Sequence, residues 1–363
     1  MYLVTKENKQ NNCLEELIFN ENLKPETVYM TNRDDSQYTR YQQNKIDKLI
    51  EHNKATIESL NRKITQFLQV HPEPSQMYRH YTIPKASGGV RHIDEPEEEL
   101  KELQRDITDT MQRIGIYNTQ WAWAYTPKRC AIDMAEQHRT SKWVLKIDLK
   151  NFFSSLNREL IKNQLMKNYY TAKISNILNI DNLLTVALLN EHLPQGSPLS
   201  PYLSNLVMIE FDWLLRNTLN KNQIYTRYAD DIIISSVAHM SKQAIVRVIE
   251  TILTEQYGNQ IRINYSKVKL QINTRRLYIV GVKLNKDNEL TFGHEKKKKL
   301  KLDLYNLFKA YEQNTACKEE AQELLGLFTY MKQIEPDYAN YLERKYLKQF
   351  HSTAKSIYKH FKF

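Results

Sequence analysis

Between Tyr41 and Val70, apolar residues recur at Ile46, Leu49, Ile50, Ile57, Leu60, Ile64, Phe67 and Leu68, with charged and amide side chains between them. That spacing returns to one face every three or four residues and predicts one long amphipathic helix or two shorter ones. The preceding residues, Met1 to about Gln37, are polar and weakly periodic and read as a loose arm with one short helix. Pro72 and Pro74 stop the pattern, since each removes a donor and restricts the residue before it, and a boundary falls near residue 75. Tyr81 to Ile93 then reads as a β-hairpin turning at Gly88 and Gly89, and Glu97 to Ile114 as a helix. A short apolar strand runs from Trp143 to Asp148, and residues 157 to 190 are mostly helical. Two β-rich runs, Ile224 to Tyr228 and Ile232 to Ser236, flank Ala229, Asp230 and Asp231 and predict a second hairpin. Leu277 to Leu284 reads as one further strand, and the chain is helical from about His294 onward.

Composition narrows the class. With only 8 glycines and 10 prolines in 363 residues, a short-turned all-β or linker-rich architecture is excluded, and an α+β fold of long helices with a modest sheet is favoured. A 41% hydrophobic content supports a large core and excludes a mainly disordered chain. The net charge of +10 marks a basic protein. The three cysteines, Cys13, Cys130 and Cys317, lie too far apart for a zinc ribbon or disulfide framework and are expected to be reduced and buried. No apolar run approaches the roughly 20 residues that cross a bilayer, and no signal peptide is readable, so the expected address is the cytosol, with no membrane partner.

Two Asp-Asp pairs offer a comparison within the chain. Asp34 and Asp35 lie in a polar run and read as a solvated turn, whereas β-branched segments on both sides hold Asp230 and Asp231 in a rigid hairpin. Like charges so close repel, and a divalent cation is the usual neutraliser; a plain hairpin turn is the blander alternative. Asp148 closes its own strand, so a sheet can place it beside that hairpin. Three carboxylates at neighbouring strand ends suit two Mg²⁺ ions, which prefer oxygen ligands and leave positions for water and phosphate. Between Leu193 and Asn205, three prolines with Gln195, Gly196 and Ser197 stiffen a loop ahead of a helix. Such a loop suits contact with a base pair or phosphate as well as simple helix capping.

Lys85 with Gly88, Gly89 and Arg91, Asp148 with Phe152 and Phe153, the run Pro194 to Asn205, and Tyr228 to Asp231 occur in this order. Together they resemble the motifs of prokaryotic reverse transcriptases, the group of retron, group II intron and related defence-associated enzymes, over roughly residues 78 to 350. The resemblance implies a right-hand polymerase: a helical extension at 1–75, fingers at 76–115, a palm with a small antiparallel sheet at 116–293 carrying a fingers insertion at about 157–190, and a helical thumb at 294–363. It implies that Asp148, Asp230 and Asp231 bind two Mg²⁺, with Mn²⁺ a substitute, and that Lys267 protonates pyrophosphate. Lys85 and Arg91 would grip the triphosphate, Phe153 would exclude a ribose 2′-hydroxyl while Phe152 fills the core, and Gln195 and Gly196 would line the nascent base pair. Residues 294–363 carry 14 Lys and Arg against 9 Asp and Glu, half of the chain's net charge. Lys296, Lys297, Lys298 and Lys299 would then meet nucleic-acid phosphates, although a charge run is also an ordinary wet helix face.

The expected function is RNA-directed DNA synthesis with dNTPs on a cognate non-coding RNA, in a retron or related anti-phage system. Two departures bear on the retron assignment: Met134 stands where retron enzymes carry Asn ahead of His138, and Val280 where they carry Thr ahead of Gly281. Alternatives are a template-independent or protein-primed polymerase on the same palm, or an RNA-binding scaffold with an inactive palm. The helix before residue 75 packs on its own body or offers a surface to an effector protein, a second copy of the chain or a structured RNA.

Overall fold

The structure is a computed structural model that describes residues 37–84, 88–115, 120–272, 277–285, 287–313 and 315–350. The arm before Gln37, with Cys13 and Asp34 and Asp35, lies outside the described residues, as does Lys85. In chain order the elements are α1 (Gln37–Val70), β1 (Tyr78–Pro84), β2 (Val90–Pro96), α2 (Glu98–Arg113), α3 (Ala131–Gln137), β3 (Trp143–Asp148), α4 (Phe152–Ser155), α5 (Arg158–Lys167), α6 (Tyr169–Ile174), α7 (Ile180–Ala187), α8 (Ser200–Val207), α9 (Ile209–Thr218), β4 (Gln223–Tyr228) and β5 (Asp231–Ser236). They continue with α10 (Lys242–Tyr257), β6 (Lys269–Ile272), β7 (Leu277–Ile279), β8 (Val282–Leu284), β9 (Leu290–Thr291), α11 (His294–Glu312), α12 (Lys318–Ile334) and α13 (Pro336–Gln349). The strands form three small sheets, ordered β1-β2, β4-β5-β3-β6 and β7-β8-β9, so the fold is α+β as expected. The chain divides into two compact units.

Unit 1 comprises Met1–Lys128, Lys146–Ile232 and Ser241–Lys269. Its helix α1 is continuous over 34 residues, about 51 Å at ~1.5 Å per residue. Ile46, Ile50, Ile57, Leu60 and Ile64 are buried along one stripe, packed against α2, α6 and α7. Polar contacts fix its register: Asp47 accepts from the Tyr169 hydroxyl at 3.1 Å and pairs with Lys173, and the Asn61 side chain accepts from the Asn179 backbone N–H at 2.9 Å. Lys63 also pairs with Asp106 on α2. The β1-β2 hairpin pairs Tyr81 with Ile93 and Ile83 with Arg91, and its turn runs through Gly88 and Gly89, both at positive φ.

Unit 2 comprises Arg129–Leu145, Ile233–Met240 and Leu270–Phe363. Helices α11 to α13 close over Leu300, Leu304, Phe308, Leu325, Phe328, Met331, Leu342 and Tyr346, a core at the helical spacing read from the sequence. The single strand expected over Leu277 to Leu284 is instead a tight hairpin. Val280 and Gly281 both take positive φ, 45° and 82°, which reverses the chain between β7 and β8. The continuous apolar pattern concealed this turn, because valine is a poor residue for that conformation and only the glycine signalled it. In the same unit His138 is fully buried, bonded to Ser235 at 2.6 Å, while Ser141 bonds the same hydroxyl at 2.8 Å. Burial pushes the imidazole down to about 3, so it is neutral and structural. The cysteine expectation needs correction: Cys130 and Cys317 are free, but Cys130 is half-buried, accepting from the Asp133 N–H at its helix start, and Cys317 is exposed.

Candidate active site

The acids sit where strands end. Asp148 is the last residue of β3, Asp231 the first of β5, and Asp230 lies in the turn between β4 and β5. Backbone bonds align these ends: Leu149 N–H donates to the Asp230 carbonyl at 3.0 Å, and Asn264 N–H donates to the Asp148 carbonyl at 2.8 Å. The Asn264 side chain also donates to Asp148 Oδ2 at 2.9 Å, leaving Oδ1 to Lys267 Nζ at 2.8 Å. Lys146 Nζ meets Asp231 Oδ2 at 3.0 Å.

These ammonium groups answer an accumulation of negative charge. Burial first, then the charges of Asp231 and Asp148, hold the Asp230 carboxyl above the ordinary range, while Lys267 pulls it down. Lys267 is shifted upward, chiefly by its bond to Asp148, with Asp230 and Asp231 adding to the effect, so it keeps its proton. All three acids therefore act on one lysine. Among the described residues no group of three or more His, Cys, Asp or Glu side chains stands ready-made as a metal cage. Asp148 and Asp231 are instead turned to lysines. The donors are nonetheless hard carboxylate oxygens, and burial with the neighbouring acids keeps Asp230 raised in spite of Lys267, a donor chemistry that suits a hard divalent cation.

Beneath the turn lies a second ion pair. Arg227, on β4, is fully buried and bonds Asp212 of α9 through both branches, Nε to Oδ1 at 2.7 Å and Nη2 to Oδ2 at 2.8 Å. Burial alone depresses this guanidinium, but Asp212 reverses the balance and its net shift is upward, so the charge is permanent. Arg227 Nη1 then donates to Asn205 Oδ1 at 2.9 Å and to the Ala229 carbonyl at 3.2 Å. Tyr225 completes the set by donating to Asp212 Oδ1 at 2.6 Å. Ala229 has φ 55°, unusual for a residue with a Cβ, and Arg227 holds it there immediately before Asp230. Sequence reading missed Asp212, Arg227, Asn264 and Lys146. Arg227 is the one charged residue in β4, and that was the available signal for it.

The loop expected at the nascent base pair meets the β1-β2 hairpin. The Gln195 carbonyl accepts from the Asp94 N–H at 2.7 Å, and Gly196, at φ 133°, leaves no room for a side chain, since a Cβ would stand 2.7 Å from the Asp94 carbonyl oxygen. Ser197 donates to Gln104 at 2.7 Å, and Gln104 reaches Tyr78 on β1 and the Val186 carbonyl. Arg91 is exposed on β2. Phe152 is buried, whereas Phe153 is half-buried, edge-on to it at 5.7 Å. Of the lysine run, Lys296, Lys298 and Lys299 are exposed on α11 in unit 2. Lys297 is engaged within its own unit, 2.9 Å from Glu335 and 5.0 Å above the Tyr338 ring.

Comparison with known proteins identifies the family. The family model described as reverse transcriptase (RNA-dependent DNA polymerase) matches residues 83–301. The Retron Ec83 reverse transcriptase of Escherichia coli is 30% identical over 297 residues, covering 79% of this chain and 91% of the relative. The Retron Ec73 reverse transcriptase of Escherichia coli is 29% identical, covering 77% and 89%, and the Retron Mx65 reverse transcriptase of Myxococcus xanthus 27% identical, covering 75% and 65%. The solved structure of apo telomerase from Candida tropicalis aligns over 78% of this chain and 61% of its own, at 13% identity and a TM-score of 0.42, too low to bear on the argument.

Proposed function

The chain belongs to the reverse transcriptase family, in its prokaryotic retron-type group, and is an RNA-directed DNA polymerase with a right-hand polymerase fold; from that premise we propose how its residues divide the work. The gathering of Asp148, Asp230 and Asp231 around Lys267 carries the proposal. These carboxylates hold a pair of Mg²⁺ ions, for which Mn²⁺ can substitute. When bound, the pair supplies Lewis-acid activation of the primer hydroxyl and charge neutralisation at the triphosphate. Lys267 gives a proton to the departing pyrophosphate, a role open to an ammonium group held charged beside the acids. Arg91, with Lys85, grips the triphosphate from the fingers, Phe153 fills the space a 2′-hydroxyl needs, and the Gln195–Gly196 loop backs the base pair.

In this reading residues 76–115 form the fingers, 116–293 the palm and 294–363 the thumb, whose exposed Lys296, Lys298 and Lys299 meet duplex phosphates without base specificity. The template and primer are supplied by a cognate non-coding RNA, and the enzyme works in the cytoplasm within an anti-phage defence system. The test is dNTP incorporation on an RNA template with Mg²⁺. The variant carrying Asp230→Asn and Asp231→Asn is expected to fall to background, and unchanged incorporation would overturn the site. Sequencing nucleic acid that copurifies with the protein is expected to return one defined RNA with its DNA copy. A homopolymer would contradict templated synthesis.

A further inference from the structure

The segment from Trp121 to Thr126 has no part in the roles above, yet it is fixed against the turn that carries Asp230. The Trp121 carbonyl accepts from the Arg227 N–H at 2.7 Å and Trp123 N–H donates to the Arg227 carbonyl at 2.8 Å, so Ala122 pairs with Arg227 in the parallel sense. The carbonyl of Ala124 is tied by Asn205 Nδ2 at 2.7 Å, the same asparagine that receives Arg227 Nη1. Arg227 Nη1 also bonds the Ala229 carbonyl, so the residues just before Tyr125 and just before Asp230 are both held by the Asn205–Arg227 pair. Thr126 Oγ1 closes the segment onto the Ala122 carbonyl at 3.1 Å. Between these anchors Tyr125 takes φ 58°, a conformation costly for a bulky residue, and it stays 47% exposed. Strain held by buried anchors at an exposed aromatic marks a functional position more than a packing one.

The surroundings identify what it faces. The titratable groups acting on the phenol are Asp230, Tyr228 and, from the β1-β2 hairpin, Arg91. Burial first and Asp230 second push the phenol upward. We propose that Tyr125 is a further substrate-contacting residue whose hydroxyl donates to a phosphate oxygen of the incoming deoxynucleoside triphosphate, in the space flanked by Arg91 and Asp230. This inference rests on the polymerase reading of Asp230 and adds a nucleotide contact that none of the sequence motifs predicts.

Tyr125→Phe removes the hydroxyl and keeps the ring. On poly(rA) primed with oligo(dT), the KM for dTTP is expected to rise about tenfold, the worth of one ordinary hydrogen bond, with kcat within about twofold of the parent. An unchanged KM, or a loss confined to kcat, overturns the proposal. A parallel titration measures the Kd of dTTP on a dideoxy-terminated primer with Mg²⁺, where no turnover occurs. There the variant is expected to bind about tenfold more weakly, and equal binding overturns the contact whether or not the parent chain incorporates. Binding that responds to Tyr125→Phe in a parent without incorporation would sink the polymerase reading alone, and a parent that binds no dTTP would sink both. Tyr125→Ala is expected to weaken binding further; if it fails to fold, the phenylalanine variant decides. A lowered Tm with unmoved KM and Kd in Tyr125→Phe would assign the tyrosine to structure and overturn the proposal.

Discussion

Two carboxylate-cation pairs lie beside the Asp230 turn, one reaching it from β4 and one from the end of β3, and are built in opposite ways. Arg227 and Asp212 meet at 2.7 Å with neither side chain exposed, and every branch of the guanidinium has a partner. Lys267 and Asp148 meet at 2.8 Å, but the lysine side chain is 60% exposed and is held by one oxygen. Distance alone does not separate them. A buried pair leaves an unpaid charge in a dry site when one partner is removed, while an exposed ammonium is screened by water and turns away at little cost. The contrast teaches that the surface proposed to do the chemistry is the easily rearranged part, and that the residue beneath it, which holds Ala229 in its strained turn, is the rigid part.

The largest effect is expected at the rigid pair. Asp212→Ala strands Arg227 without its counter-charge and also releases the Tyr225 hydroxyl. Urea unfolding is expected to show a loss of about 3–5 kcal/mol, and a loss below about 1 kcal/mol would break the contrast. Replacing both partners sharpens it. Asp212→Leu with Arg227→Met is expected to recover much of that stability, because apolar groups of similar size need no partner. Incorporation should nevertheless stay low in the double variant, since nothing then bonds the Ala229 carbonyl.

His138 provides a buried titratable group, bonded to Ser235 and through that hydroxyl linked to Ser141, whose shift burial dominates. Its folded value of about 3 lies below the ordinary 6.5, so the unfolded chain takes up a proton between these limits and the folded chain does not. Stability contributed by the neutral ring is therefore complete above about pH 6.5 and is lost as pH falls toward 3, at up to about 1.4 kcal/mol per pH unit. Denaturant melts at pH 7 and pH 5 are expected to differ by about 2 kcal/mol from this group, and His138→Gln should flatten that difference. An equal slope in the variant would place the pH response elsewhere.

Local chemistry explains which parts were legible in the sequence. Gly88 and Gly89 announced one hairpin, and two β-branched runs around Ala229 to Asp231 announced another, because turn residues and strand formers act within a few positions of each other. The turn at Val280 and Gly281 was illegible, since a valine at positive φ contradicts its own preference. Asp212 with Arg227, and Asn205 with Ala124, were illegible for another reason. Each joins a helix to a separate strand or loop, and no periodicity records which buried polar groups will meet. Tyr125 escaped because its conformation is imposed by anchors on both sides.

Gly196 tests rigidity without charge. In Gly196→Ala the new methyl group would stand 2.7 Å from the Asp94 carbonyl oxygen at a backbone φ of 133°. The loop or the β1-β2 hairpin must shift, and a destabilisation of about 1–3 kcal/mol is expected in the same urea assay. Incorporation should fall with it, because the displaced carbonyl of Gln195 is the acceptor for Asp94. A variant as stable and active as the parent would show that this close approach is not maintained in solution.

The smallest change in stability is expected at Lys267, where the comparison is most exposed to failure. Removing its ammonium in Lys267→Ala takes away the bond to Asp148 Oδ1, but Asn264 still donates to Oδ2 and the freed oxygen lies beside a lysine site open to water. Urea unfolding should move by less than about 1 kcal/mol, as for other screened pairs. Incorporation should fall by about a hundredfold or more if the ammonium is the proton source for pyrophosphate, with partial rescue by Lys267→Arg. The two readouts part company only if this pair exists to be opened. A stability loss as large as that of Asp212→Ala would mean that Lys267 is a strut like Arg227, and the division between a rearrangeable surface and a rigid support would not hold.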